Sequence, residues 1–150
     1  MEYKHTEIIK DWLDEDLANY LKTLYTYNFP HFYGHSSTKG KGVVFYSTYF
    51  DQKENLNKFL IYKLKQTIKI PFTVKDMYLN IQHPGMEGEF HKDDCSLTAL
   101  YMVTGEGNFE FKDRKIAFKE NKLIIFDSSK LHRGRAPKKG IRITLAFKLI

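Results

Sequence analysis

The stretch Phe90-His91-Lys92-Asp93-Asp94-Cys95 carries two side chains of metal-ligand type, His91 and Asp93, one residue apart. In an extended backbone, residues two apart project to the same side, so His91 and Asp93 converge while Lys92 points elsewhere. Asp94 alternates to the opposite side and is expected as a solvated or hydrogen-bonding residue. A divalent iron held by two histidines and one carboxylate on one octahedral face keeps three positions open, room for a co-substrate and dioxygen. The triplet alone decides little: six histidines and 18 acidic residues among 150 supply a His-x-Asp/Glu triplet by chance with an expectation of roughly 0.7. A third ligand is required. His132 leads, because "KLIIFDSSKLHRG" brings it to a strand end after a polar turn. His83 is the rival, since His5, His31 and His35 precede the strand-rich part of the chain.

Ten residues beyond His132, Arg142 opens the alternating run "RITLAFK" and shares a face with Thr144, Ala146 and Lys148. A guanidinium on a buried strand is costly unless a carboxylate meets its fork. A dicarboxylate co-substrate would do so; an Asp or Glu partner, or an edge position facing water, is the plain alternative. Cys95 has no histidine-based activating motif beside it and reads as a small buried residue.

These residues need strands to hold them, and the chain supplies strands. Its aromatic share of 15% and apolar share of 42% fit a folded, strand-rich domain with a real core. From Val74 onward, short runs such as "VKDMYLNIQH", "LTALYMV", "NFEFK", "KIAF", "KLIIFD" and "IRITLAFKLI" are separated by Gly, Pro, Asp and Lys, the spacing of an antiparallel sandwich or barrel. Before them, Thr6 to Lys10 reads as a short extended segment. "DEDLANYLKTLY" reads as a helix with Asp14 as N-cap and Leu17, Tyr20, Leu21 and Leu24 on one face. A second helix is expected from about Lys53 to Ile68, with Leu56, Phe59, Leu60, Leu64 and Ile68 at helical spacing, stopped by Pro71. Between the helices, residues 25–50 read as a mobile loop feeding a strand from Gly42 to Phe50. Gly40 and Gly42 flank a flexible centre that could close as a lid, and Phe32, Tyr33 and His35 are its candidate substrate contacts. No repeat or linker divides the sequence, so one domain over 1–150 is expected, with helical support to about residue 72 and the strand core from about 73.

One cysteine excludes an intramolecular disulfide framework and a cysteine-based zinc site. The amino-terminal stretch carries acidic residues where a signal peptide would need an uninterrupted apolar run, and no run approaches a membrane span, so a soluble, cytoplasmic protein is expected. Net charge is +6, concentrated in Lys130, Arg133, Arg135, Lys138, Lys139, Arg142 and Lys148. That is either a solubilising surface or a patch for a polyanion.

The order His-x-Asp, then strands with "GEGNFEF", then "IIFDSSKLHRGRAPKKGIRITLAF" resembles the 2-oxoglutarate and Fe(II)-dependent oxygenases, the prolyl-hydroxylase-like branch above all, over roughly residues 74–150. The resemblance implies a double-stranded β-helix, or jelly roll, with two amino-terminal helices packed on one sheet. It implies Fe(II) bound by His91, Asp93 and His132, and 2-oxoglutarate held at its distal carboxylate by Arg142 with Thr144, Asn80 being a further co-substrate contact. Dioxygen would be consumed, succinate and carbon dioxide released, and ascorbate would stimulate. The substrate implied is a peptidyl residue or amino acid. An AlkB-like demethylase of nucleic acid, to which Lys148 beyond Arg142 would be relevant, is the alternative, and a non-enzymatic jelly-roll binding module is the second.

Overall fold

The computed structural model describes residues 5–38 and 42–150. Ten strands and two helices follow in the order β1 (Glu7–Ile9), α1 (Glu15–Tyr27), β2 (Phe32–His35), β3 (Phe45–Tyr49), α2 (Asn55–Thr67), β4 (Val74–Gln82), β5 (Leu97–Thr104), β6 (Phe109–Phe111), β7 (Arg114–Ile116), β8 (Lys122–Asp127), β9 (His132–Gly134) and β10 (Arg142–Leu149). A seven-stranded sheet runs β1-β8-β5-β10-β4-β3-β2, and a three-stranded sheet runs β7-β6-β9. All pairings are antiparallel. This is the jelly-roll architecture expected, with helices against one face of the larger sheet.

Period-two alternation divides the larger sheet into two chemistries. On β4, β5, β8 and β10, Leu79, Ile81, Ala99, Tyr101, Leu123, Ile125, Leu145 and Phe147 turn outward. They pack with Leu21 and Tyr25 of α1 and Leu60 and Leu64 of α2. The alternate residues, Leu100, Met102, Ile124, Phe126 and Ala146 among them, face the smaller sheet and meet Phe109, Phe111 and Ile116. Toward β4 and the start of β10 this inner face turns polar, and the cavity described below opens there.

The helices sit where the periodicity places them, with their faces slightly rotated. Tyr20 and Phe59 are exposed, whereas Tyr25 and Asn57 are buried. At 100° per residue, 21 and 25 align with the stripe through Leu17 while Tyr20 falls on its shoulder. Asn57 is tolerated because its amide donates to the Asp51 carbonyl at 2.8 Å. Asp14 occupies the N-cap of α1, but its side chain makes no capping hydrogen bond.

The expected loop between the helices contains a strand. β2 pairs with β3, with a register shift between Tyr33 and His35 where Gly34 adopts φ +127°. This bulge breaks the period-two pattern by which a strand is read. Gly40, one of the two glycines assigned to a lid, lies outside the described residues.

Candidate metal centre and its cavity

The smaller sheet and the loop before β5 deliver three side chains to one point. His91 lies just outside a strand but exchanges both backbone hydrogen bonds with His132 of β9, each at 3.0 Å. Asp93 donates its backbone N–H to the Ser128 carbonyl at the end of β8, also at 3.0 Å. The ligand atoms of His91, Asp93 and His132 all lie within 4.8 Å of one another. His132 Nε2 is 3.3 Å from Asp93 Oδ2, and His91 Nε2 is 3.5 Å from Oδ1.

The outer hydrogen bonds fix how these groups present themselves. His91 Nδ1 is 2.8 Å from the Glu89 carbonyl and His132 Nδ1 is 2.7 Å from the Lys130 carbonyl. A carbonyl only accepts, so each Nδ1 carries the proton and each Nε2 lone pair is free, the tautomer a metal requires. Burial pushes the Asp93 carboxyl upward, but the His132, His91 and Thr98 side chains beside it outweigh burial and hold the group well below the usual carboxylate range. Thr98 Oγ1 donates to Asp93 Oδ2 at 2.6 Å. Its single proton being used there, it accepts from Ser128 Oγ at 2.9 Å, and Ser128 lies 3.0 Å from Cys95 Sγ. The chain thus has one direction, ending on a carboxylate that can only accept. Cys95 itself is half-buried, less enclosed than expected.

The triad lines a cavity of about 110 Å³ whose walls include Leu100, Phe109, Phe126 and Ala146. Arg142 closes its inner end and is wholly buried. Its Nη1 donates to Gln82 Oε1 at 2.7 Å, while Nε and Nη2 have no hydrogen-bond partner among the described residues. Those two nitrogens form one edge of the guanidinium plane, a two-pronged donor matched to a carboxylate. Burial pushes the Arg142 pKa down to about 10 despite the opposing influence of Glu87. Gln82 is fixed in turn by donating to the carbonyls of Met86 and Gly134 at 2.8 and 3.1 Å. Gly134 leaves room beside it, since a Cβ there would come within 2.9 Å of Arg142 Nη1 and displace the guanidinium from Gln82. Thr144 and Asn80 are cross-strand partners, and both line the cavity.

The remaining candidates separate. His83 is not in the triad; its ring packs edge-on against Tyr46. His35 lines the cavity, whereas Phe32 and Tyr33 are exposed on edge strand β2, outside the lining. Burial, then Lys148 and His91, push the His35 pKa down. Asp94 points outward as expected, bridging Lys75 and Lys148. The basic carboxyl end divides, Lys130, Lys138 and Lys139 being exposed and the rest engaged internally. Besides buried Arg142, Arg133 pairs with Glu110 at 2.9 Å and Arg135 with Glu87 at 2.8 Å.

Gln82, Thr98, Ser128 and Gly134 went unnoticed in the sequence. Gln82 was within reach, since Tyr78, Asn80 and Gln82 form the polar half of an alternating strand; Thr98, Ser128 and Gly134 gain meaning only from partners on remote segments.

No protein-family model matches the chain, and no curated protein sequence matches it. Solved structures do. A viral collagen prolyl hydroxylase from Paramecium bursaria Chlorella virus-1, in complex with 2-oxoglutarate, superposes with a TM-score of 0.70 at 19% identity, over 98% of this chain and 96% of that one. A prolyl hydroxylase from Trichoplax adhaerens, in complex with a hypoxia-inducible-factor peptide, gives 0.74 at 12% identity over 99% and 84%. HygX from Streptomyces hygroscopicus, with nickel and 2-oxoglutarate bound, gives 0.69 at 8% over 96% and 82%. At such identities the likeness establishes the fold: this chain has the double-stranded β-helix of the 2-oxoglutarate/Fe(II) oxygenases, prolyl-hydroxylase-like proteins included. Inside that fold stands a two-histidine, one-carboxylate facial triad. Among the described residues, no helix is long and apolar enough to cross a membrane.

Proposed function

We propose that the protein is a 2-oxoglutarate- and Fe(II)-dependent dioxygenase that hydroxylates an amino acid or a peptidyl residue. His91, Asp93 and His132 hold the iron, and Arg142 with Thr144 holds the distal carboxylate of 2-oxoglutarate, near Asn80. The observation that carries this reading is the pair of orphaned guanidinium nitrogens of Arg142, buried in the same cavity as the triad. A triad alone fits several metals and reactions; a triad with an unfilled carboxylate fork fits this co-substrate.

Iron with 2-oxoglutarate and dioxygen supplies the oxidising power for a C–H bond, with succinate and carbon dioxide as co-products. The chain supplies the rest. His91 and His132 present neutral Nε2 donors, and Asp93 presents a carboxylate already ionised at neutral pH. Gln82 and Gly134 hold the Arg142 fork flat, so the co-substrate enters in one orientation. Leu100, Phe109 and Phe126 keep the surroundings apolar and limit water. Asp93 also favours hydroxylation over halogenation, because it fills the position a halide would need.

The nucleic-acid reading keeps only the exposed Lys130, Lys138 and Lys139, since Arg133 and Arg135 pair with Glu110 and Glu87 and Arg142 is buried. Anaerobic addition of Fe(II) and 2-oxoglutarate should produce a weak visible charge-transfer band, which His91→Ala should abolish. An intact protein that gives no band would instead be a binding module built on the same barrel.

A further inference from the structure

We infer that the substrate carries a carboxylate and that Lys148 receives it at the rim of the cavity, which makes a free amino acid, or a chain-terminal one, the substrate class. The inference rests on the reading of iron and 2-oxoglutarate above and adds to it the group by which the second substrate is recognised.

Lys148 stands on the same face of β10 as Arg142, six residues further on, about 20 Å along an extended strand. Arg142 closes the inner end of the cavity. Lys148 lies where that cavity meets an outer pocket formed with His35, Ser37, Lys92 and Asp94. Thr98, the cross-strand partner of Lys148, holds Asp93, so Lys148 stands at the Asp93 end of the triad.

Charge argues for an anion at the rim. With Fe(II) and 2-oxoglutarate bound, the iron and Arg142 balance Asp93 and the two carboxylates of the co-substrate. Lys148 stands outside that balance. Its neighbour Asp94 is 74% exposed and is shared between Lys148 and Lys75, and Lys92 lines the same rim. The ammonium groups there outnumber the one carboxylate left to pair with them.

Hydrogen bonding argues the same way. The Lys148 side chain is 18% exposed, yet its one ion pair, to Asp94 Oδ1, is 3.3 Å long, longer than a good charge-assisted bond. The Tyr78 ring face, 5.7 Å from Nζ, adds attraction but accepts no conventional hydrogen bond, so an ammonium with three donors makes one long hydrogen bond, to a solvent-facing partner. The neutral His35 ring and the Ser37 hydroxyl beside it supply further polar groups. An ammonium, an imidazole and a hydroxyl around one net charge suit a carboxylate. A phosphate would call for the guanidinium forks or helix N-terminus that this rim lacks among its described residues.

The test uses the anaerobic Fe(II) and 2-oxoglutarate complex, then air. Free L-amino acids, their carboxamides, and tripeptides with free or amidated carboxyl ends are compared for stimulated succinate release, and the best acid is titrated calorimetrically under anaerobic conditions. We expect at least one acid to stimulate and its amide to fail, free amino acids and free-ended tripeptides telling the two sources apart. Lys148→Ala should weaken binding of that acid about tenfold or more and erase the acid-over-amide preference. Lys148→Arg should keep the preference, and the visible band with 2-oxoglutarate should be unchanged in both. Equal stimulation by amides, stimulation by none of the acids, or an undiminished preference in Lys148→Ala overturns the inference. A missing band overturns the oxygenase reading instead.

Discussion

Thr98 illustrates how a residue with no reactive chemistry governs a reactive one. Its hydroxyl proton is committed to Asp93 Oδ2, which leaves Oδ1 for a metal and sets the carboxylate plane. Replacing it with valine preserves shape and removes the proton. Such outer hydrogen bonds typically contribute 10–100-fold to metal affinity, so Thr98→Val should lower Fe(II) or Co(II) affinity by about that factor in a titration, while Thr98→Ser keeps most of it. Equal affinity in Thr98→Val and wild type would show that the histidines alone orient the site. At this scale the sequence was informative where chemistry announces itself. His91, Asp93, His132 and Arg142 are residue types that bind metals or carboxylates, two on strands and two in the loop before β5, and their spacing is readable. Thr98 is an ordinary strand threonine until Asp93 and Ser128 are beside it, and both arrive through tertiary contacts rather than local pattern.

Strand β10 shows why the fold can hold a polar cavity without losing stability. Ile143, Leu145, Phe147 and Leu149 face the helices, and Arg142, Thr144, Ala146 and Lys148 face the site. The two functions alternate along one backbone, so each can be altered alone. Leu145 is wholly buried between sheet and helices, and Leu145→Ala should cost about 2–5 kcal/mol as read from urea unfolding, whereas Lys139→Ala on the surface should change stability by less than ~0.5 kcal/mol. A Leu145→Ala loss below ~1 kcal/mol would mean that the helices collapse into the vacated space. The long strands β4, β5, β8 and β10 were legible because their alternation is unbroken. Strand β2 was not, because Gly34 inserts a bulge in the middle of four residues and the pattern that remains is too short to recognise. The rotated helix faces have a similar cause: Tyr20 and Phe59 are apolar by composition but sit on the shoulders of their stripes, and only packing against the sheet decides which shoulder is covered.

At the scale of the whole molecule, strand order lies beyond local reading. β10, last in the chain, sits between β4 and β5, and nothing in its own residues names those neighbours. The same non-local packing buries three tyrosines, with consequences for alkaline stability. Burial pushes the phenols of Tyr25, Tyr78 and Tyr101 above their ordinary range, which in an unfolded chain is about 10. Below that pH both states keep these protons and the contribution to stability is complete. Above it the unfolded chain releases them while the folded one retains them, so the unfolded state binds fewer protons and stability falls as pH rises. Lys148 and Lys122 shift in opposite directions and do not set the sign. The urea midpoint should therefore be level from about pH 8 to 9 and decline above about pH 10. Tyr25 isolates the effect, because its hydroxyl is buried with no hydrogen-bond partner among the described residues. Tyr25→Phe removes an unsatisfied polar atom, so at pH 7 it should leave stability unchanged or raise it by about 1 kcal/mol, and it should make the alkaline decline shallower. A Tyr25→Phe protein that is much less stable at pH 7, or declines as steeply as wild type above pH 10, would mean that the hydroxyl is hydrogen-bonded in solution and that other groups drive the alkaline loss.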